Sequence, residues 1–179
     1  LGGVGNTAFN GDMGGTGALI KDGAGVQTLG GANTFTGGVT LNAGGLVVGN
    51  NAALGSGALN VGADATLDSS LAVTLGNAIS LTAGANLNLL GSNALTLGGV
   101  ISGDGGLIKN GAATVTLTGA NTYTGGTTIN SGTLAIGAGG SLAPTGAVDL
   151  GGAGTLGISG GGSQSIGGRA GVAGSNVAL

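Results

Sequence analysis

The chain has 179 residues, 47 of them Gly, with 5% charged and 2% aromatic side chains and a formal net charge of −3. Cys, His and Trp are absent and Pro occurs once, which removes imidazole and thiolate catalysis and the usual zinc, haem and iron–sulfur ligand sets. Three cations, Lys21, Lys109 and Arg169, cannot neutralise a phosphate backbone, so nucleic acid is excluded as a partner, and no apolar run approaches the ~20 residues of a membrane span.

So much Gly would suit disorder in an aperiodic chain, but Leu, Val, Ile and Phe supply about a quarter of the residues and the net charge is small. Gly does not fall on every third position, which excludes collagen. In chain order the predicted strands are short apolar-x-apolar steps: Leu46/Val48, Leu59/Val61, Val73/Leu75, Ile79/Leu81, Leu87/Leu89, Leu95/Leu97, Val115/Leu117, Leu134/Ile136, Val148/Leu150 and Leu156/Ile158. Each step puts two aliphatic side chains on one face of a strand and Thr, Asn or Ala on the other. Gly-Gly, Asn-Gly and Ala-Gly pairs separate them, and these suit turns that need positive φ. Gly at this density opposes helix, and no 3.6-residue apolar stripe is present.

Matching steps return after about 20 residues, as in Leu59 to Ile79 and Leu75 to Leu95 to Val115. A longer repeat lies over this one. Residues 17–49 align with 105–137 at an offset of 88, without a gap, and 20 of 33 positions are identical. These features predict an all-β parallel solenoid with roughly 20–22 residues and three strands per coil. About nine coils give a rod ~45 Å long, and each 88-residue unit holds about four. The chain is read as one solenoid segment made of two units, about 2–90 and 90–178. A β-sandwich also uses alternating strands, but it does not require turns to recur in register.

The motifs GANTFTGGVTLNAGGLVVG and GANTYTGGTTINSGTLAIG, each preceded by G-x-L-I-K-x-G, resemble the passenger-associated repeat of bacterial autotransporters. The second copy follows the family pattern nearly throughout. The first departs where Gln27 replaces an apolar strand residue and Gly45 replaces Thr. The flanks 75–79 and 162–167 also look like passenger sequence. The resemblance implies a right-handed parallel β-helix, exported from a Gram-negative cell and displayed on its outer surface or released. It also implies that an effector head, where such proteins have one, lies elsewhere. Because the chain begins at Leu1 with no leader, it is expected to be a piece of a longer protein.

Candidate chemistry is sparse. Gly-rich strings such as 103–106 lack the following helix that a phosphate cradle needs. Six Asp at no common offset do not make a calcium roll, and Asp64 and Asp68 lie far in sequence from Arg169, which leaves a polysaccharide-lyase site without its clustered groups. No catalytic, metal or cofactor residue is assigned. The structural repeat positions are Asn33, Phe35, Gly37 and Gly38, with Asn121, Tyr123, Gly125 and Gly126. Asn serves the corners, and the aromatic plugs a coil or covers a corner. Lys21 and Lys109, at equivalent positions, are candidate glycan or anion contacts, against the simpler reading of a solvated edge charge. Thr114-Val115-Thr116-Leu117-Thr118 raises ice binding, but such Thr pairs do not recur in every coil. The expected partners are further copies of the chain, head to tail or side by side, because a surface this poor in charge repels its own kind weakly. A host or bacterial glycan or receptor bound along one face is the alternative, marked by a groove joining Asp104, Lys109 and Tyr123.

Overall fold

In-register pairing of short strands organises the whole molecule. The computed structural model describes residues 1–160, 164–165, 167–174 and 176–178; of the passenger-like flank 162–167, Gly162, Ser163 and Ile166 lie outside the described residues. The described strands pair in parallel throughout, and they stack into three faces.

Face I holds Thr7–Phe9, Val26–Leu29, Gly45–Val48, Ala65–Ser69, Asn86–Leu89 and Gly106–Lys109, then the first parts of Thr127–Ile136 and Ala147–Ile158, and Gly168–Gly171. Face II holds Val73–Leu75, Leu95–Leu97, Thr114–Leu117, the last parts of the same two long strands, and Asn176–Ala178. Face III holds Leu19–Lys21, Val39–Leu41, Leu59–Val61, Ile79–Leu81 and Ile101–Gly103. The chain visits the faces in the order I, II, III.

Residues that stack on face I are 19 to 22 apart in sequence, from Val26 on Gly45 to Ala65 on Leu87. The nine layers of face I enclose eight full turns, rather than the nine expected, and at ~4.8 Å per turn they span roughly 38 Å. Alternation sends every second side chain inward, so each face contributes aliphatic ladders. On face II these are Val73, Leu95, Val115, Leu134 and Leu156 beside Leu75, Leu97, Leu117 and Ile136. All nine are buried. Dispersion and area burial hold the stack, because consecutive rungs touch and no rung faces water on both sides.

The 88-residue unit does not close on a whole number of turns. The strand ending at Lys21 lies on face III, and its counterpart ending at Lys109 lies on face I. Val26–Leu29 lies on face I and its counterpart Thr114–Leu117 on face II. One unit is therefore four turns plus one face, not four turns, and equivalent residues of the two copies point about a third of a revolution apart. Among the described residues no helix is long and apolar enough to cross a membrane.

Candidate functional site

Each copy of the repeat spends one face on a loop instead of a strand. In the first copy the loop 30–38 occupies face II, between Val26–Leu29 and Val39–Leu41; in the second, 118–126 occupies face III. Without a regular ladder at the loop, buried main-chain donors and acceptors there must be met in other ways.

Loop main chain meets some of them, as where Thr34 N donates to Met13 O at 2.7 Å and Thr122 N to Ile101 O at 2.8 Å, and the side chains of Asn33 and Asn121 meet others. The Oδ1 of Asn33 accepts from the amide of Met13 at 2.8 Å, one coil back, and its Nδ2 donates to the carbonyl of Ala53 at 2.6 Å, one coil on. Asn121 repeats this with Ile101 N at 2.8 Å and Ser141 O at 2.7 Å. Both side chains are buried. Each carboxamide thus stands in for a rung across three coils. Neither residue uses left-handed backbone, since no described residue other than Gly has positive φ. That conformation falls to Gly38 and Gly126, at φ +77° and +85°, where a Cβ would strain the chain. Gly37 and Gly125 are required for a different reason. A Cβ there would lie 2.6 Å and 2.5 Å from the main chain of Gly17 and Gly105 in the coil before.

Phe35 and Tyr123 point inward and are buried. The hydroxyl of Tyr123 lies 2.6 Å from Thr127 Oγ1 inside the rod. Burial pushes its pKa from 10.0 up to about 12, with the Thr127 hydrogen bond acting in the opposite direction. In the first copy both partners are apolar, Phe35 and Val39, so no polar group is stranded there. This paired exchange was in the aligned copies, but the alternation did not say that the two residues meet.

Lys21 and Lys109 are 3% and 1% exposed, which a solvated edge charge would not be. Lys21 stacks on Leu41, and Lys109 stacks between Leu89 and Ile129. Each ammonium donates to the carbonyl two residues on, Gly23 and Gly111, and to a second in the next coil, Ala43 at 3.2 Å and Ser131 at 3.4 Å. Burial lowers the pKa of Lys109, and the Asp68 carboxylate partly opposes that shift. Gln27, the polar departure from the repeat pattern, is also buried and is met by Thr7 Oγ1 in the preceding coil and by Thr28 O at 2.7 Å. Among the described residues no buried side-chain polar atom lacks a hydrogen bond.

Asp104, Lys109 and Tyr123 do not share a groove: Asp104 is exposed and accepts from Thr124 Oγ1 at 3.0 Å, while the other two are interior. An open groove of about 440 Å³ instead crosses face I, lined by Asp64, Thr66, Asn86, Asn88, Ala24 and Ile108 among others. No group of three or more His, Cys, Asp or Glu that could hold a metal occurs among the described residues. The chemistry of the repeat's side chains is the joining of one coil to the next.

Comparison with known proteins gives the same two segments. The passenger-associated-transport-repeat family matches residues 19–48 and 107–136. The chain is 43% identical over 155 residues to a protein named adhesin BmaC autotransporter, from Brucella suis biovar 1 (strain 1330); the match covers 77% of this chain and 4% of that protein. The chain thus spans a small part of the length of this relative. No solved structure matches significantly.

Proposed function

Because the chain carries two passenger-associated-transport repeats in one solenoid, we propose that it is a stretch of an exported autotransporter passenger that works as a rigid rod on the outer surface of a bacterium. It acts as a stalk, a filament or a self-associating adhesin, and its role is structural rather than catalytic. The observation that carries this reading is the use to which the repeat's polar residues are put. Asn33, Asn121, Lys21 and Lys109 bond main chain in neighbouring coils, so they serve the stack and do not wait for a substrate. We assign both lysines to this structural work and not to ligand contact.

Such a rod suits contact with its own kind. The strands of face II contain no charged residue, and Thr74, Thr96, Thr116 and Ala135 form one outward column along it. Charge would otherwise keep copies apart. Sedimentation and electron microscopy of the segment test this reading. Filaments or concentration-dependent oligomers are expected, and a monodisperse monomer at high concentration contradicts self-association.

A second reading, capture of a glycan or a surface receptor, is favoured by the groove on face I. Asp64 and the carboxamides of Asn86 and Asn88 line it beside Ala24 and Ile108, a mix of polar anchors and small apolar wall that fits a sugar ring. Saccharide binding that is lost in Asp64→Asn would support it, and no retention on a panel of surface glycans would remove it.

A further inference from the structure

We propose that Asn110 is a site of spontaneous conversion to a carboxylate, needing only water. The reaction is internal. The main-chain nitrogen of Gly111 bonds to Cγ of Asn110 and gives up its proton, the bond from Cγ to the side-chain nitrogen breaks, and ammonia leaves. Water then opens the five-membered imide at either carbonyl to give aspartate or isoaspartate.

Four observations converge on this residue. Asn110 is exposed and is followed by Gly, whose lack of a side chain leaves its nitrogen free to approach. The amide nitrogen of Gly111 has no hydrogen-bond acceptor among the described residues, while that of Asn110 is tied to Leu89 O at 3.0 Å. Asn130 Nδ2 donates to Asn110 Oδ1 at 2.6 Å, at the oxygen where negative charge builds as the nitrogen adds. The fourth is internal to the protein. The equivalent pair in the first copy is Asp22-Gly23, and Asp22 Oδ1 accepts from Asn42 Nδ2 at 2.7 Å just as Asn110 accepts from Asn130. A carboxylate at this position is therefore a state the repeat already accommodates.

The two products differ in consequence. Aspartate keeps the Asn130 contact and gives up only the donation from Asn110 Nδ2 to Asn88 Oδ1 at 2.8 Å. Isoaspartate adds a carbon to the main chain beside Gly111, which packs directly against the carbonyl of Leu90, so it pushes the coil out of register.

Asn10-Gly11, the other Asn-Gly pair in the chain, supplies the control. It is exposed too, but the Asn10 carboxamide makes no hydrogen bond among the described residues. The folded chain is incubated at mildly alkaline pH and mapped by mass spectrometry, with isoaspartate read by methyltransferase labelling. Asn110 is expected to convert several-fold faster than Asn10, and Asn130→Ala is expected to slow Asn110 alone. Asn110→Asp is expected to melt like the parent. Equal rates at the two sites, an unchanged Asn110, or faster loss in Asn130→Ala overturns the proposal, because each means that the local hydrogen bonds do not activate the carbonyl. Marked destabilisation of Asn110→Asp overturns it as well, because the product would not be one the coil can hold.

Discussion

Tyr123 and Thr127 differ from Phe35 and Val39 by two hydroxyls that are gained together, and the geometry shows why they must be. A buried phenol without an acceptor costs more than the hydrogen bond returns when made, so one hydroxyl is tolerable only with the other. Tyr123→Phe alone is expected to cost about 1–2 kcal/mol, and Thr127→Val alone a similar amount. The double variant, which reproduces the pair in the first copy, is expected to lie close to the parent. Denaturant midpoints for the four proteins measure this coupling; additive losses would show that the hydroxyls act independently. The same burial makes a pH prediction. With Tyr123 raised to about 12, the folded chain keeps a proton that the unfolded chain releases near 10. Stability is fully present below pH 10 and is lost as pH rises toward 12, by about 2–3 kcal/mol in total. Tyr123 is the chain's one tyrosine and Trp is absent, so tyrosinate absorbance reads this residue alone. Titration at the ordinary 10 in the folded protein would place the ring in water.

At the level of the strand and its corners, stacking in register sets a rule for charge. Equivalent positions of successive coils are ~4.8 Å apart, so an Asp stacked on an Asp would repel itself along the rod. In the corner between faces III and I, Asp22 lies against Asn42, Asp64 against Asn86 and Asp104 against Thr124, and each carboxylate accepts a hydrogen bond from that next coil. The scattered offsets of the acids, which speak against a calcium roll, are also what a stacked fold requires of isolated negative charges. Asn42→Asp is expected to destabilise by about 0.5–1 kcal/mol at low salt, with the loss shrinking as salt is added. A salt-independent effect would mean that the carboxamide matters for its donor alone. The alternating aliphatic steps made the strands legible before any coordinates, because period two and a ~20-residue return leave few other folds. The lysines were not legible in the same way. A Lys at a strand end reads as solvated, and only the placement of carbonyls at the corner reveals that its stem can lie in the core while its ammonium is satisfied by main chain.

For the whole rod, the aligned copies disclosed the unit but not its phase. An offset of 88 divides evenly into four coils of 22, yet individual coils shorten to 19 or 20 residues, and the remainder carries the second copy one face further round. The loop bearing Asn121 and Tyr123 therefore opens on a different side from the loop bearing Asn33 and Phe35. A ligand that needs both loops on one side could not bridge them, whereas a rod that must look alike from several directions gains from the rotation. Phase is a sum over all the corners, and each corner tolerates one residue more or less, which is why no local motif reveals it. Stacking register is the premise beneath the rung-forming Asn, the buried Lys, the spaced Asp and the rotated repeat alike. It is tested most directly by disulfide formation between engineered thiols, since the chain has no Cys. Asn88 stacks on Ile108, so Asn88→Cys with Ile108→Cys is expected to close readily at the ~4.8 Å inter-coil spacing, whereas Asn86→Cys with Ile108→Cys, roughly 8 Å apart on the diagonal, is expected to stay reduced. Closure of the 86–108 pair and not the 88–108 pair would mean coils of 22 residues at this point, and would contradict the stack described above.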